Sequence, residues 1–562
     1  MRPAHRGPAA RRRRRSLAAA RATFAVAVAG FVVAGCGGSS HSSSSTATSG
    51  TNASAKQGGT LNVGMYNGAF LDSVDPNLWY GLSTWEIGRQ TCVPLVTYPN
   101  YGGAKGNTLV PAVAAALPEV SSDGLTYTVQ IRPGLKFSNG APLTANDVKY
   151  TFYRMVKING AGADYFSPIK GVEAALKGKA KEISGITASG DTLTFKLTHP
   201  VGGFVQLLSL QFSCPVPAGT PVKRNETGKI PSNGPYMVES YTPRRELVIV
   251  RNPNFDPATG PKGNVDKIVF NLAVDQSQAL QKIKLGEIDM TFDTLPSADA
   301  QQALTDPTLK GRVFTNTPPT LTYMWMNNDV APFDNPKVRQ AVNYAIDRDQ
   351  IAKVVGGSVA AKPTDQILPP SLSGGLPTIY PMASNLDKAR ELIKESGVKT
   401  PVNTVLDTPS DLGFPQVAQV IQADLKQIGI NLRLNVGSET VLSAGSAKRK
   451  AHRPAGFSAW TQDYPDPGNW LPLLDPRFVE SPGQKARFHE NSLTPRFESL
   501  EQETGPKRLT DYQQLSAQLM HDYAPWVPLF DQVVTHVVSK RVSGYDWQPQ
   551  AGLPILTGIS VK

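Results

Sequence analysis

The chain is poor in cysteine and lacks the short motifs that mark many enzymes. It has 3 cysteines in 562 residues, without the Cys and His spacing of a zinc site. A phosphate-binding GxxxxGK(S/T) loop, an HExxH pair and a GxSxG nucleophile turn are all missing from the sequence. We therefore expect no metal site, no cofactor and no enzymatic activity. A hydrolase whose Ser and Asp residues meet only in the folded chain stays open as an alternative.

Acidic residues are absent from the first 36 positions, which contain eight arginines. The whole chain has a formal net charge of +12, and leaving out this segment reduces it to +4, with 49 basic and 45 acidic residues. Nucleic-acid-binding domains concentrate basic residues on one face or along one helix. The remaining balance is too even for such a surface, so we expect no nucleic-acid partner.

The same segment lacks a hydrophobic run long enough to span a bilayer comfortably. Residues 22–35 are apolar over only 14 positions, whereas a spanning helix needs about 20. The run ends in Val33-Ala34-Gly35-Cys36, which resembles the bacterial lipobox. We predict a lipoprotein signal peptide at 1–36, with Cys36 lipidated and the protein anchored outside the bacterial cell membrane. A plain secretory signal and an uncleaved anchor are the alternatives, and Arg14-Arg15-Ser16-Leu17 permits twin-arginine export.

Large apolar residues are also missing from residues 37–57, which are rich in Ser, Gly and Thr. Such a segment cannot form a core, so we predict a flexible tether with a root-mean-square span of about 25 Å. In the rest of the chain the cysteines are Cys92 and Cys214. Because they would lie outside the cell, we expect them to form one disulfide. Two buried free thiols are the alternative.

After the tether, the sequence contains patterns typical of strands and then of alternating helices and strands. Residues 125–131 and 192–197 alternate apolar and polar side chains with the period of two of half-buried strands. Thr144 and Asp147 have the spacing of a capping box at the start of a helix. From about residue 265 helical and strand patterns alternate. A mixed α/β fold is predicted, and the length indicates two or more lobes.

One irregular stretch, Trp460-Thr461-Gln462-Asp463-Tyr464-Pro465-Asp466-Pro467, combines carboxylates with aromatic rings. Its two prolines end any regular element, so it should form a loop after the strand-like residues 456–459. Loops at strand ends often carry binding groups, and a carboxylate between aromatic rings suits a cation or a polar ligand. For these eight residues alone, the alternative is a proline-rich surface turn with a buried tryptophan.

Short motifs along the chain occur in an order that resembles one protein family. They are Gly58-Gly59-Thr60-Leu61, Val74-Asp75-Pro76, Arg132-Pro133-Gly134-Leu135-Lys136-Phe137, Pro142-Leu143-Thr144-Ala145-Asn146-Asp147-Val148, Asn233-Gly234-Pro235-Tyr236, Arg251-Asn252-Pro253, Gly286-Glu287-Ile288-Asp289, Val338-Arg339-Gln340-Ala341, Asn343-Tyr344-Ala345-Ile346-Asp347-Arg348 and the stretch 460–467. Together they resemble the family 5 extracellular solute-binding proteins, the dipeptide- and oligopeptide-binding components of ABC importers. The resemblance extends over about residues 58–562, and the order of the motifs makes it specific.

The resemblance implies an α/β fold with two lobes of the periplasmic-binding-protein type, class II and cluster C-like, with an extra subdomain in the first lobe. The first lobe is expected at 58–320, the second at 321–527, and a return to the first lobe at 528–562. Two crossing segments would form a hinge. Closure of such lobes is favoured when the ligand contacts both of them.

The resemblance also implies candidate ligand-binding residues. In peptide binders of the family, the aspartate of the Trp-x-x-Asp-Tyr pattern holds the α-ammonium of the ligand, and here that residue is Asp463. Asn233 matches a turn asparagine that contacts the peptide backbone, and Trp460 matches an aromatic residue of the pocket. Further candidates for the cleft are Tyr80, Tyr323, Trp325 and Tyr464. Core packing is the alternative for the aromatic residues, and a turn role is the alternative for Asn233.

The sequence departs from some oligopeptide binders at Phe457, where they have an arginine six positions before the aspartate. No group for a peptide carboxylate is therefore evident, and the nearby Lys448, Arg449, Lys450 and Arg453 are more typical of a solvated face. The implied function is that of a monomeric, lipid-anchored, extracytoplasmic protein that captures peptides and delivers them to ABC permease subunits. The alternatives are a carrier of oligosaccharide or another small solute, and a secreted hydrolase.

Overall fold

The computed structural model describes residues 56–66, 71, 73–410, 413–438, 441–442, 453–481 and 483–562. Several predicted features lie outside these residues: the signal peptide, the predicted lipidation site Cys36, almost all of the tether, and Lys448, Arg449 and Lys450. Within the described ranges, no helix is both long enough and apolar enough to cross a membrane.

A five-stranded mixed sheet forms the centre of the first lobe. In spatial order its strands are Met290–Thr291, Thr60–Tyr66, Lys267–Val274, Glu246–Arg251 and Tyr236–Thr242. The first three run parallel and the last two join them antiparallel. Side chains alternate along Lys267–Val274, so that Ile268 and Phe270 are fully buried. The C-terminal residues Ile559 and Val561 pack into the same core and return the chain to this lobe.

A subdomain of the first lobe consists of a four-stranded antiparallel sheet and one long helix. The strands are Glu119–Val120, Thr126–Gln130, Thr192–Lys196 and Ile186–Ser189. Helix Ala145–Lys157 packs on this sheet through Phe152 and begins with the predicted capping box. The backbone N–H of Thr144 donates to Asp147 at 2.8 Å, which confirms that prediction.

The second lobe is built on a six-stranded sheet. Its strands are, in order, Ala361–Pro363, Trp526–Gln532, Thr320–Met326, Ala455–Thr461, Val402–Pro409 and Ile430–Gly437. One face is covered by four helices, Pro336–Ala345, Arg348–Val355, Leu386–Ser396 and Phe414–Lys426. The other face is covered by helices Thr494–Gln502 and Lys507–Gln518 and by irregular segments. The central strand Thr320–Met326 is therefore buried along its whole length.

Two antiparallel strands, Val313–Asn316 and Val534–Val537, lie where the chain passes between the lobes, and we call them the crossing pair. The return to the first lobe was expected at residue 528. Strand Trp526–Gln532, however, stays paired with the second-lobe sheet as far as Asp531, and pairing of this kind keeps the segment in that lobe. The chain therefore leaves the second lobe after Gln532.

Shorter α-helices and strand pairs lie between the large elements along the chain. The helices are Leu82–Thr91, Gly103–Gly106, Val172–Leu176, Phe204–Leu207, Ala279–Leu285, Ser297–Thr305 and Pro370–Ser373. Three two-stranded pairs are Val96–Thr97 with Val110–Pro111, Val542–Ser543 with Ser560–Val561, and Trp547–Gln548 with Leu553–Pro554.

Candidate functional site

Asp463 lies in a rigid turn that follows strand Ala455–Thr461. The side chain of Asn469 holds this turn, because its Oδ1 accepts the backbone N–H of Asp463 at 2.9 Å and its Nδ2 donates to Oδ2 of Asp463 at 2.9 Å. The same Oδ1 lies 3.3 Å from the indole Nε1 of Trp460. Asp466 caps the single helical turn Pro467–Asn469 that presents Asn469. The carboxylate of Asp463 is thus fixed by local contacts.

The first lobe contacts the same carboxylate. Tyr165, in the 3-10 turn Ala163–Phe166, donates its hydroxyl to Oδ2 of Asp463 at 2.5 Å. The hydroxyl of Tyr80 lies 3.2 Å from that of Tyr165. Burial and the negative charge of Asp463 raise the pKa of Tyr165 well above its ordinary value, so the phenol keeps its proton and remains a donor. The lobes are therefore closed in this structure, with Asp463 at their boundary.

Aromatic rings of the first lobe surround this contact, and we call Tyr80, Trp85, Tyr165 and Phe212 the aromatic wall. The ring centroids of Tyr165 and Phe212 are 5.4 Å apart, and Trp85 lies 6.3 Å from both Tyr80 and Phe212. Tyr464 extends from the second lobe into the core behind the wall and is 9% exposed. A carboxylate beside this wall is partly removed from water, and its attraction for a cation is strengthened.

Asn233 lies in the scaffold behind the wall. Its side-chain oxygen accepts the N–H of Val93 at 3.0 Å, and its amide nitrogen donates to the carbonyl oxygen of Val93 at 2.7 Å. Cys92 and Cys214 form a disulfide beside it, with their Cα atoms 5.7 Å apart. Both polar ends of the Asn233 amide bind the backbone, as in the alternative turn role, and a ligand contact of this residue stays a prediction.

Tyr323 and Trp325 are also placed away from the boundary. Both are at most 3% exposed and pack in the second-lobe core, where Tyr323 stacks on Trp526 with ring centroids 3.9 Å apart. Their strand is central and has both faces covered, so its side chains point into the two helical layers. The boundary between the lobes lies near the end of this strand, where Thr320 pairs with Thr461. These two cleft assignments are therefore corrected to core packing.

Two positions considered for binding a ligand carboxylate, Phe457 and Arg453, are engaged elsewhere. Phe457 packs against Phe414 in the second-lobe core, with ring centroids 5.0 Å apart. Arg453 forms an ion pair with Asp407 at 2.9 Å. The described ranges also contain no group of three His, Cys, Asp or Glu side chains arranged to hold a metal ion.

The structure thus brings together Asp463, Trp460, Tyr464 and Tyr80 from the predicted set, and it adds Tyr165, Asn469 and Phe212. Asn469 lies six residues after Asp463 in a proline-rich turn, so its contact with Asp463 could have been predicted from the sequence. Tyr165 is separated from Asp463 by 298 residues and has no local pattern that announces the contact. Only the closed arrangement of the lobes makes it part of the site.

The chain is similar to known binding proteins along most of its length. Di/tripeptide-binding protein 2 of Pseudomonas aeruginosa is 26% identical over 464 residues, which cover 79% of this chain and 85% of that protein. Heme-binding protein A of Haemophilus influenzae is 27% identical over 567 residues, which cover 96% and 99%. The solved structure of clavulanic acid biosynthesis oligopeptide binding protein 2 covers 90% of this chain and 96% of that chain, with a TM-score of 0.82 and 24% identity.

The structural likeness supports the two-lobed, class II architecture described above. A family model described as bacterial extracellular solute-binding proteins, family 5, middle part, matches residues 108–477. This range begins before the subdomain, includes Tyr165, and ends just after the turn that holds Asp463 and Asn469. The chain therefore belongs to the family 5 bacterial extracellular solute-binding proteins.

Proposed function

We propose that this protein is the extracytoplasmic substrate-binding component of an ABC importer, capturing peptides between its lobes and delivering them to membrane permease subunits. The observation that carries the proposal is the carboxylate of Asp463, which Asn469 fixes at the boundary between the lobes. The names of similar proteins support a peptide ligand, since one is a di/tripeptide-binding protein and another an oligopeptide-binding protein.

The proposed ligand contact is an ion pair between Asp463 and the α-ammonium of the peptide. An ammonium that leaves water needs both an opposite charge and hydrogen-bond acceptors. Asp463 supplies the charge, and the phenol oxygens of Tyr80 and Tyr165 are additional acceptors within the same group of contacts. A ligand held in this way contacts both lobes and so favours the closed form.

An oligosaccharide ligand is less well supported because few tryptophan rings are available for stacking. Of the seven tryptophans, five are at most 5% exposed in the cores of the two lobes: Trp79, Trp85, Trp325, Trp470 and Trp526. Trp460 is half-buried near Asp463 and is held by Asn469. A sugar site usually needs an accessible ring face, which leaves peptide capture as the better proposal.

Mass spectrometry of small molecules released from the protein purified from its own cells tests this function. We expect peptides with a free amino terminus, and we expect calorimetric titration with trialanine to show binding while maltotriose and hemin do not bind. Recovery of a sugar or heme, together with no peptide binding, would contradict the proposal. Cleavage of trialanine by the purified protein would instead support the hydrolase alternative.

We propose further that lipidation of Cys36 anchors the protein to the membrane, on the sequence pattern that precedes it. A diacylated cysteine would hold the protein on the membrane through its buried acyl carbons. Substitution Cys36→Ala should move the protein from the membrane fraction to the medium or soluble extracytoplasmic fraction, as followed by immunoblotting. Wild-type and Cys36→Ala proteins that remain equally membrane-bound would contradict the lipid anchor and favour an uncleaved signal segment.

A further inference from the structure

Arg508 connects two parts of the second lobe that meet the first lobe. It lies in helix Lys507–Gln518 and is 7% exposed. Its Nε and Nη2 donate to the two carboxylate oxygens of Asp466 at 3.0 and 2.8 Å. The two N–H groups of Nη1 face three backbone carbonyl oxygens: they donate to those of Leu500 and Glu503, and that of Glu501 lies 3.4 Å away. A planar guanidinium holds this many acceptors in one geometry, which a lysine ammonium cannot do.

Through Asp466, Arg508 is connected to Asp463, the proposed ligand-binding carboxylate. Oδ1 of Asp466 also accepts the N–H of Gly468 at 2.7 Å, and the carbonyl of Asp466 accepts the N–H of Asn469 at 2.9 Å. These bonds form the turn that presents Asn469, whose side chain in turn holds Asp463. Arg508 therefore supports the position of Asp463 through Asp466 and Asn469.

The backbone carbonyl groups that Arg508 binds lie at the contact between the two lobes. Gly202 of the first lobe donates its N–H to the carbonyl oxygen of Glu501 at 2.8 Å. A Cβ placed on Gly202 would lie 1.9 Å from the carbonyl oxygen of Glu503 and 2.5 Å from Nη1 of Arg508. One on the next residue, Gly203, would lie 3.4 Å from the carboxyl carbon of Asp466. The first lobe thus closes directly onto Arg508 and its partners.

We propose that Arg508 is a positioning residue that couples ligand anchoring to lobe closure. It sets the geometry of the turn that presents Asp463, and it orders the Leu500–Glu503 carbonyls against which Gly202 closes. Gly202 is required at this contact because any side chain would collide with the backbone of the second lobe. Its φ lies outside the left-handed region, so an alanine there is excluded by space in the closed form and not by the conformation of the chain.

This inference rests on the proposed capture of a ligand between the lobes, and it is tested on ligand-free protein so that failure to bind peptides does not affect the outcome. Hydrogen exchange with mass spectrometry is measured on wild type and Arg508→Lys. We expect exchange at least about tenfold faster in both 463–470 and 500–504 in the variant, because one side chain orders both segments. Faster exchange in only one of the two segments would overturn the coupling.

Asp466→Asn provides a second variant if Arg508→Lys does not fold. It keeps the size of the side chain and removes the charge that orients Arg508. We expect the same paired loss of protection in 463–470 and 500–504. Unchanged exchange in 500–504, the segment that Arg508 connects to Asp466, would overturn the proposal.

Closure is tested by X-ray scattering on ligand-free Gly202→Ala, with Gly260→Ala as the matched control. A Cβ on Gly260 meets no atom within 4 Å, so the control should scatter like wild type. Gly202→Ala should have a larger radius of gyration, while residues 463–470 keep their wild-type protection from exchange. An unchanged radius of gyration in Gly202→Ala would contradict the closure contact. Lost protection in 463–470 would show that lobe closure, and not Arg508, orders the turn that presents Asp463.

Discussion

At the scale of single residues, the site depends on how the charge of Asp463 is accommodated before a ligand arrives. A carboxylate removed from water is costly unless donors satisfy it. Asn469 supplies one donor from the same turn, and Tyr165 supplies another across the boundary between the lobes. The hydroxyl of Tyr165 therefore connects this carboxylate to the first lobe.

Substitution of Tyr165 by phenylalanine removes this donor with little change in shape. Hydrogen bonds to charged groups contribute about 1.5–3 kcal/mol, and this one exists only when the lobes are closed. We expect the ligand-free Tyr165→Phe protein to be about tenfold or more shifted toward the open form, with a larger radius of gyration in X-ray scattering. Tyr153→Phe, on helix Ala145–Lys157, is the control and should not change it. A Tyr165→Phe protein as compact as wild type would refute this role.

Site residues could be predicted from the sequence only where they lie together in one local motif. The stretch after Ala455–Thr461 places Asp463, Tyr464 and Trp460 together because its prolines force a turn there. Tyr165 joins them through tertiary folding, which a local pattern does not encode. Asn233 fits the family pattern by position, yet its amide binds Val93, a pairing that became visible only in the folded chain.

At the scale of structural elements, Tyr545 ties the crossing pair together. Its ring stacks on Phe314 of one strand with centroids 4.2 Å apart, and its hydroxyl lies 3.1 Å from Nδ1 of His536 on the other strand. Nε2 of His536 lies 3.0 Å from the carbonyl oxygen of Phe292, so this nitrogen carries the proton and Nδ1 accepts from Tyr545. Burial lowers the pKa of His536 to about 4, and the ring is neutral at pH 7.

This histidine should make the stability of the protein fall at acidic pH. Its pKa is lower in the folded chain than the value of about 6.5 in the unfolded chain, so its contribution is complete above pH 6.5 and is lost as the pH falls toward 4. The full loss is about 3 kcal/mol in the free energy of unfolding. Because the buried carboxyls of Glu86 and Asp531 have raised pKa values and act in the opposite direction, the effect is taken from the difference between wild type and His536→Gln.

The measurement for His536 is an NMR titration of its imidazole resonance, assigned by its absence in His536→Gln. We expect a midpoint near pH 4 and a wild-type free energy of unfolding that falls relative to the variant between pH 6.5 and 4. A midpoint near 6.5 with parallel stability curves would show that the crossing pair exposes this ring to water.

The disulfide between Cys92 and Cys214 connects the end of helix Leu82–Thr91 to the segment that follows Phe212 of the aromatic wall. It closes a loop of 122 residues, so its removal releases a large conformational entropy in the unfolded chain. The double variant Cys92→Ser with Cys214→Ser should lose about 2–5 kcal/mol in denaturant unfolding. Wild type under reducing conditions should lose a similar amount, and a variant as stable as oxidised wild type would contradict the structural role.

The residue at which a helix begins was easier to predict than the side of a sheet on which the side chains of a strand lie. The capping box at Thr144 acts locally, and it is present as expected. Tyr323 and Trp325 were assigned to the cleft, but the central position of their strand turns them into the core. The order of strands in a sheet depends on long-range pairing, which the residues of one strand do not contain.

At the scale of the whole molecule, each of the two lobes contributes a different part of the candidate site. The second lobe fixes the carboxylate of Asp463, and the first lobe supplies the aromatic wall. A ligand that contacts both lobes favours the closed form by the difference between its binding free energies for the closed and the open forms. The two-lobed arrangement and the family were predictable from the order of motifs along the chain, and the membership is confirmed.

The most direct test of the account is the affinity of wild type and Asp463→Asn for trialanine, or for a peptide recovered from the protein, and for its N-acetylated form. Removing one partner of a buried ion pair costs about 3–5 kcal/mol, and the partial exposure of Asp463 reduces this to a factor of about 100 in affinity. We expect calorimetry to show this loss for Asp463→Asn with the free peptide and for wild type with the acetylated peptide, without a further loss when both changes are combined. Equal affinity of wild type and Asp463→Asn for the free peptide would show that Asp463 does not bind the ammonium of the ligand.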